Sequence, residues 1–280
     1  MPADDRYVTF RELHERGCFV IPNPWDAGSA RLLEQLGFRA LATTSSGVAW
    51  SMARADNHVA LDHALERIRE IVDSVGVPVN ADFEGGFAIE PEGVAEHVTR
   101  AVATGVAGLS IEDSTGDAAN PLFDRALAVG RIAAAREAID ASGVDILLTG
   151  RSEGFITGRP DLDETIRRLV AYAEAGADCL YAPGLRTMAD IEAVVRAVAP
   201  KPVNVLVGSG FTTVQELASI GVRRISVGGA LARVAWDSFL AAARAIATDG
   251  TFTAFASGVP FAEIDGAFAE PRANDRATAR

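Results

Sequence analysis

Asp82 and Glu84 stand two residues apart in PVNADFEGG (78–86), and Glu112 closes a second apolar run, GLSIE (108–112). Side chains of an extended strand alternate between faces, so Asn80, Asp82 and Glu84 are expected on one face and Val79, Ala81 and Phe83 on the other. Neighbouring strands lie roughly 4.8 Å apart, which would let Asp82, Glu84 and Glu112 converge on one point. Carboxylates that close repel one another unless a proton is shared or a cation sits among them. With oxygen donors only, and no His or Cys nearby, the expected cation is Mg²⁺ or Mn²⁺. Asp56, in the loop after the second apolar run, can join through water. The competing reading is that individual acids pair with arginines at a rim.

Arg151 ends another apolar run, ILLTGR, where its planar fork suits a substrate carboxylate. A salt bridge to Glu112 or Glu153 is the plainer reading and does not exclude that role. TTSSG (43–47) would present Ser46 and the N–H groups of Gly47 and Val48 to a carboxylate or a developing enolate oxygen. Trp25, in NPWDA, is a further candidate substrate contact. The four histidines, His14, His58, His63 and His97, fall in helical stretches or their leading turns and are expected on helix surfaces, which argues against a His-based zinc site or a Ser-His-Asp triad. Lys201, the only lysine, precedes a strand rather than ending one, so Schiff-base chemistry is not expected. Cys18 and Cys179 lie in apolar runs and read as small buried hydrophobes.

These groups need a scaffold that delivers strand ends to one place. One pattern recurs: a helical stretch, a glycine just past its end, a short connection, then an apolar strand. Gly37, Gly76, Gly105, Gly143, Gly176 and Gly221 mark it, and CFVIPN and PVNVLVG complete eight strands. Helical spacing fills 59–75, 91–105, 126–142 and 161–175. Strict alternation through eight units predicts an α/β chain closed as a (β/α)8 TIM barrel over residues 1–250. A leading helix is expected at 1–16 and a final amphipathic one at 230–249, with 251–280 a partly flexible C-terminal extension. In a parallel barrel the chemistry sits at the C-terminal ends of the strands, where the acids above are concentrated. A doubly wound open sheet is the alternative, but no G-x-G-x-x-G follows the first strand.

The chain has 280 residues and a net charge of −12. That charge sets it against nucleic acid and anionic membrane surfaces, so an acidic metabolite would need a local metal or arginines. No apolar run has spanning length, and MPADDRYVTF lacks a signal-peptide layout, so the expected location is cytoplasmic.

NPWDAGSARLLEQLGF, TTSSGVAWSMARAD, VNADFEGG, LSIEDS and AGADCLYAPG, in this order and spacing, resemble the isocitrate lyase/phosphoenolpyruvate mutase superfamily from about residue 8 to 250. The resemblance implies a (β/α)8 barrel whose last helix packs on, or swaps with, a neighbouring subunit in a homo-oligomer, a dimer or dimer of dimers. It also implies Mg²⁺-dependent making or breaking of a C–C or P–C bond beside a pyruvyl unit, through a metal-stabilised enolate. Carried over by motif, Asp82 would bind the metal directly, with Asp56, Glu84 and Glu112 holding its waters. Ser46 and Gly47 would bind the pyruvyl carboxylate, Arg151 would stabilise charge on the substrate, and Asn204 matches an Asn on the family's seventh strand.

The departures concern the substrate. Where isocitrate and methylisocitrate lyases carry a Lys-x-Cys-Gly-His loop, this chain reads EDSTGDAANPLFDRA, which also differs from the Lys-x-Asn-Ser loop of phosphonopyruvate-forming mutases. Strand six ends in Ala182 and Pro183 where tricarboxylate lyases place a Glu. A C–C lyase acting on a small 2-oxo or 2-hydroxy acid is therefore expected, with P–C chemistry or a non-catalytic binding barrel as alternatives. Two further rivals are weaker: a phosphate-binding barrel, suggested by VGSG (207–210) and VGGA (227–230), and a glycoside hydrolase, for which 7% aromatic residues provide little sugar stacking.

Overall fold

The computed structural model describes residues 3–269. The eight strands are β1 (Phe19–Ile21), β2 (Leu41–Ala42), β3 (Val79–Asp82), β4 (Gly108–Glu112), β5 (Leu147–Arg151), β6 (Cys179–Tyr181), β7 (Val203–Leu206) and β8 (Arg224–Ser226). The helices are α1 (Ala3–Glu15), α2 (Ala27–Gln35), α3 (Ser45–Ser51), α4 (Leu61–Ser74), α5 (Pro91–Val102), α6 (Arg125–Ala141), α7 (Leu162–Glu174), α8 (Met188–Val198), α9 (Val214–Ser219), α10 (Ala230–Asp249) and α11 (Phe261–Ala269).

All ladders are parallel, in the order β1-β8-β7-β6-β5-β4-β3-β2. Between β1 and β2 the seam is closed by single bonds: Ala42 N–H donates to Pro22 O at 3.0 Å, and Asn23 Nδ2 donates to Thr43 O at 2.9 Å. The Asn23 side-chain oxygen accepts from the N–H groups of Val227 and Gly228, tying the ends of β1, β2 and β8 together. The expected (β/α)8 barrel is thus observed, nearly closed.

Five of the marker glycines, Gly37, Gly105, Gly143, Gly176 and Gly221, adopt φ between 70° and 105°, the left-handed geometry that ends a helix without a Cβ clash. Gly76 differs: α4 ends in extended Val75, and Gly76 N–H donates to Glu34 Oε1 at 2.7 Å, so a side chain of α2 stops this helix. The main core lies between sheet and helices, with Ile71, Val94, Leu109, Ile132, Leu148 and Leu180 buried.

A second cluster closes the N-terminal end of the barrel, where α1 inserts Phe10 and Leu13 against Ile21, Ala42 and Leu147. His14 goes in with them and is 7% exposed, so it is not the helix-surface residue its position in the sequence suggests. Its Nδ1–H donates to Phe10 O at 2.7 Å, and its Nε2 accepts from Arg224 Nη1 at 3.3 Å. Burial, and then the charges of Arg224 and Arg11, push its pKa down to about 3. The unfolded chain takes up this proton near pH 6.5 and the folded chain resists it, so stability is lost as pH falls below 6.5. Between pH 7 and 5 this contributes about 2 kcal/mol of acid sensitivity. Urea unfolding of His14→Gln at the two pH values should show a loss smaller than wild type by about that amount.

After α10 come a 3-10 turn (Thr253–Ser257) and α11. The latter lies on α2: Gln35 Nε2 donates to Ala267 O, and the Arg31 guanidinium sits 5.7 Å from the Phe268 ring centroid. Only Ala232 of α10 is buried, leaving Val234, Trp236, Phe239 and Leu240 exposed. No described helix is long and apolar enough to cross a membrane.

Candidate active site

The C-terminal strand ends bring Asp56, Asp82, Glu84, Glu112 and Glu153 around one guanidinium, that of Arg151. Arg151 Nη1 lies 3.1 Å from both Asp82 Oδ1 and Glu112 Oε2. Its Nε and Nη2 form a fork on Glu153, and its guanidinium carbon lies 5.1 Å from the Tyr181 ring centroid. The salt bridges anticipated for Arg151 are therefore present together, and they fix the fork in place. Burial disfavours the arginine's charge, but Glu112, Glu153 and Asp82 outweigh it and hold the group protonated.

Asp82, the last residue of β3, is placed by three contacts. Its N–H donates to Thr43 Oγ1 at 2.9 Å, its Oδ2 accepts the Ser45 N–H at 2.9 Å, and its Oδ1 accepts Arg151. Glu84 reaches the site by a route the pleat did not foretell. The strand stops at Asp82, Phe83 is fully buried, and Glu84 takes φ +48°, followed by Gly86 at +72° and Phe87 at +57°. A left-handed non-glycine residue is strained, and here the turn is held from outside. The buried Arg131 donates to the carbonyls of Gly85, Ala88 and Glu112 and stacks 4.0 Å from the Phe123 ring centroid.

The acids respond to their crowding. Burial, then Asp82 and Asp56, raise the Glu84 pKa to about 8. Burial and the same neighbour, Asp82, raise Asp56, while burial pushes Glu112 well up despite Arg151. One arginine does not hold all five carboxyl groups ionised, so the pKa values of Asp56, Glu84, Glu112 and Glu153 rise, and a divalent cation would let the retained protons leave.

The sequence expectation of three acids meeting at one point needs correction. Among the described residues no three acidic, His or Cys side chains enclose a common metal position. Arg151 is the reason, since its Nη1 fills the gap between Asp82 and Glu112. The arrangement fits an ion that keeps most of its water, as Mg²⁺ does. Asp82 lines a cavity of about 150 Å³, together with Asp56, Ser45, Ser46 and Arg151.

TTSSG is not an open loop. Thr44 caps α3, its Oγ1 accepting the Gly47 N–H at 3.4 Å, and Val48 N–H donates to Thr44 O at 3.0 Å. The N–H groups of Gly47 and Val48 are thus spent within the helix, and Ser45 N–H is the one turned to the site. Ser46 does line the cavity, its Oγ 3.1 Å from Thr44 Oγ1. Gly229 packs so closely on it that a Cβ there would fall 2.8 Å from Ser46 Oγ. Trp25 is not among the residues lining this cavity; its Cβ lies 3.0 Å from where a Cβ on Gly47 would be, which backs α3. Asn204 lines the cavity, but its amide donates to Ser226 Oγ and accepts from Arg224 Nε, so both ends are engaged inside the barrel.

The segment 113–125 folds back as a short antiparallel bridge, Ser114 with Leu122. Its stem is anchored by buried Asp113, which accepts from Tyr172 OH at 2.6 Å, Arg168 Nη1 at 3.2 Å and Glu153 N–H at 2.8 Å. Sequence reasoning missed Arg131 and Asp113 as organisers of the site, because each acts across elements far apart in the chain. The R-x-E spacing of Arg151 and Glu153 was the only local signal.

The family model for phosphoenolpyruvate phosphomutase matches residues 10–247. A solved chain from Burkholderia cenocepacia J2315, described in general terms as a lyase/mutase, is 49% identical, with a TM-score of 0.94 over 96% of this chain and 98% of its own. An oxaloacetate decarboxylase of Rhodopseudomonas palustris (strain BisB5) is 33% identical over 193 residues, 64% of this chain and 63% of the relative. A phosphonopyruvate hydrolase solved with oxalate and Mg²⁺ is 25% identical, with a TM-score of 0.82 over 98% of this chain and 97% of its own. Because the match runs from before β1 to beyond β8 and takes in every strand end that feeds the acid cluster, the chain belongs to the phosphoenolpyruvate mutase family, within a superfamily of Mg²⁺-dependent C–C lyases and phosphoenolpyruvate mutases.

Proposed function

We propose that the protein is a Mg²⁺-dependent lyase that cleaves a C–C bond in a small 2-oxo or 2-hydroxy carboxylic or dicarboxylic acid. A 2-oxo acid losing its far group leaves a pyruvate-like enolate, whereas a 2-hydroxy acid gives up its hydroxyl proton and leaves a 2-oxo acid, the electron pair passing to the departing carboxylate fragment. The observation that carries this reading is the surplus of hard oxygen donors, Asp56, Asp82, Glu84, Glu112 and Glu153, around the single cation Arg151, beside a cavity of about 150 Å³. Asp82 would hold the ion, with Asp56, Glu84 and Glu112 accepting from its waters. When bound, Mg²⁺ would supply the positive charge that stabilises oxyanion character on the three-carbon fragment. Ser46, on the cavity wall, would donate its Oγ–H to the substrate carboxylate. Arg151, oriented by the Glu153 fork, meets negative charge developing on a substrate oxygen without having to reorganise. Two of the relatives above are named for oxaloacetate and phosphonopyruvate, which share a pyruvyl core, and this supports a site built for that core.

Self-association belongs to the same reading: the uncovered apolar face of α10 would pack on a second copy, giving a dimer or dimer of dimers that sedimentation equilibrium measures directly. A cytoplasmic location accompanies it, which fractionation of the producing cells checks.

Purified protein with Mg²⁺ should release pyruvate from at least one of oxaloacetate, a 2-methylmalate-type acid and phosphonopyruvate. The yield must exceed both an EDTA control and metal without protein, since divalent ions alone slowly decarboxylate oxaloacetate. Release from phosphonopyruvate alone would move the assignment to P–C chemistry, and no release from any of the three would overturn it.

A further inference from the structure

The cavity over Arg151 does not end at the acid cluster. Past Ser46, Asp56 and Gly229 it continues into a second cavity of about 340 Å³ at the ends of β6, β7 and β8. Two arginines line it, Arg186 from the loop after β6 and Arg233 in the first turn of α10, beside Gly208 and Ser209 of the VGSG segment. Neither guanidinium has an ion-pair partner among the described residues. In a chain with 38 acidic and 26 basic residues, two free arginines on one cavity form a local field opposite to the protein's own. The single acid on the lining is Asp56, at the border with the first cavity.

A second feature carries the same sign. The N-cap of the 20-residue α10 is Gly229, which offers no side-chain acceptor to the first-turn N–H groups. Uncapped N–H groups and the positive end of a long helix dipole favour an anion there. Gly229 also borders the first cavity and packs on Ser46, so this end lies at the junction of the two cavities, while the apolar part of the second lining is Trp50, Ile156, Leu206 and Phe211. A pyruvyl unit seated beside Ser46 leaves Arg186 and Arg233 unused.

We infer that the second cavity receives the far end of the substrate, and that this end carries another anionic group, a carboxylate or phosphoryl group, joined to the 2-oxo acid by a short aliphatic linker. Arg186 and Arg233 would hold the distal charge, while Trp50 and Phe211 cover the linker and the α10 terminus adds positive field at the junction. The inference rests on the proposed seat of the pyruvyl end beside Asp82.

Calorimetric titration of the Mg²⁺-loaded protein tests it. 2-Oxoadipate should bind about tenfold more tightly than 2-oxohexanoate, which has the same chain length without the terminal charge. In the R186Q/R233Q double variant the two should bind equally, while oxalate, which has no distal group, binds as to wild type. 2-Oxo-4-phosphonobutanoate in place of 2-oxoadipate distinguishes the two tails, the tighter ligand naming the group. Equal binding of charged-tail and neutral-tail acids to wild type, or a preference that survives the double substitution, would overturn the inference. Failure of oxalate to bind would instead strike the pyruvyl seat. In that event titration of the metal-free protein with inorganic phosphate and glutarate decides the second cavity alone: binding lost in the double variant supports the site, and no binding to wild type removes it.

Discussion

Asp82→Asn should lower Mg²⁺-dependent turnover by about a thousandfold or more while the barrel stays folded. Asparagine has the shape of aspartate and keeps one oxygen, so one of the two contacts, to the Ser45 N–H or to Arg151, can persist. What disappears is the charge of the carboxylate best placed to touch a cation. If the waters of a bound ion are accepted by Asp56, Glu84 and Glu112 as proposed, Glu84→Gln should cost less, about ten- to a hundredfold, as for groups one shell removed from a metal. This ordering separates a contacting ligand from a water-holding one. Pyruvate release gives the rates, Mg²⁺-dependent oxalate binding gives the affinity, and a thermal melt shows whether the fold is intact. Turnover unchanged in the Asp82 variant would sink the metal assignment, and equal losses in both variants would remove the distinction between them.

Much of this site was legible in the sequence because a parallel barrel turns a one-dimensional pattern into a ring. Eight apolar runs, six of them preceded by a glycine just past a helical stretch, fix which residues lie at strand ends, and Asp82, Glu112 and Arg151 are the last residues of β3, β4 and β5. The ladder pairs Glu112 directly with Arg151, a neighbour relation that follows from strand order alone. What strand alternation could not supply is the backbone beyond the strand. Glu84 was assigned to the Asp82 face by pleat, whereas it arrives through a left-handed turn whose geometry is imposed by Arg131, forty-seven residues downstream. The composition of TTSSG suits N–H groups open to a ligand as well as it suits a helix start. Thr44, acting as an N-cap, turns the same residues into a helix start and consumes the N–H groups assigned to substrate. His14 was misplaced for a related reason: α1 does not lie on the barrel's flank but plugs its end, so a polar residue near that helix's C-terminus is buried against Arg224. Each error concerns an element whose environment is set by segments distant in the chain.

Arg151→Met should destabilise the metal-free protein by about 3–5 kcal/mol, the cost of leaving buried charges without their partner. At about 2–4 °C per kcal/mol for a domain near this size, the melting temperature in EDTA should fall by about 10 °C. Methionine fills much of the arginine's volume, so the loss is electrostatic: Asp82, Glu112 and Glu153 each lose the cation they now contact. Added Mg²⁺ should then raise the melting temperature of the variant more than that of wild type, because a more negative cluster gains more from a divalent ion. Arg151→Lys makes the complementary point. A lysine keeps the charge but not the fork on Glu153, so it should restore most of the stability and little of the turnover. Differential scanning calorimetry with and without Mg²⁺ reads all three forms. If the methionine variant melts like wild type in EDTA, the acids around Arg151 are largely protonated at neutral pH and the cluster holds no surplus charge for a cation to cancel. If it melts lower but gains nothing extra from Mg²⁺, the surplus exists and the ion is seated elsewhere.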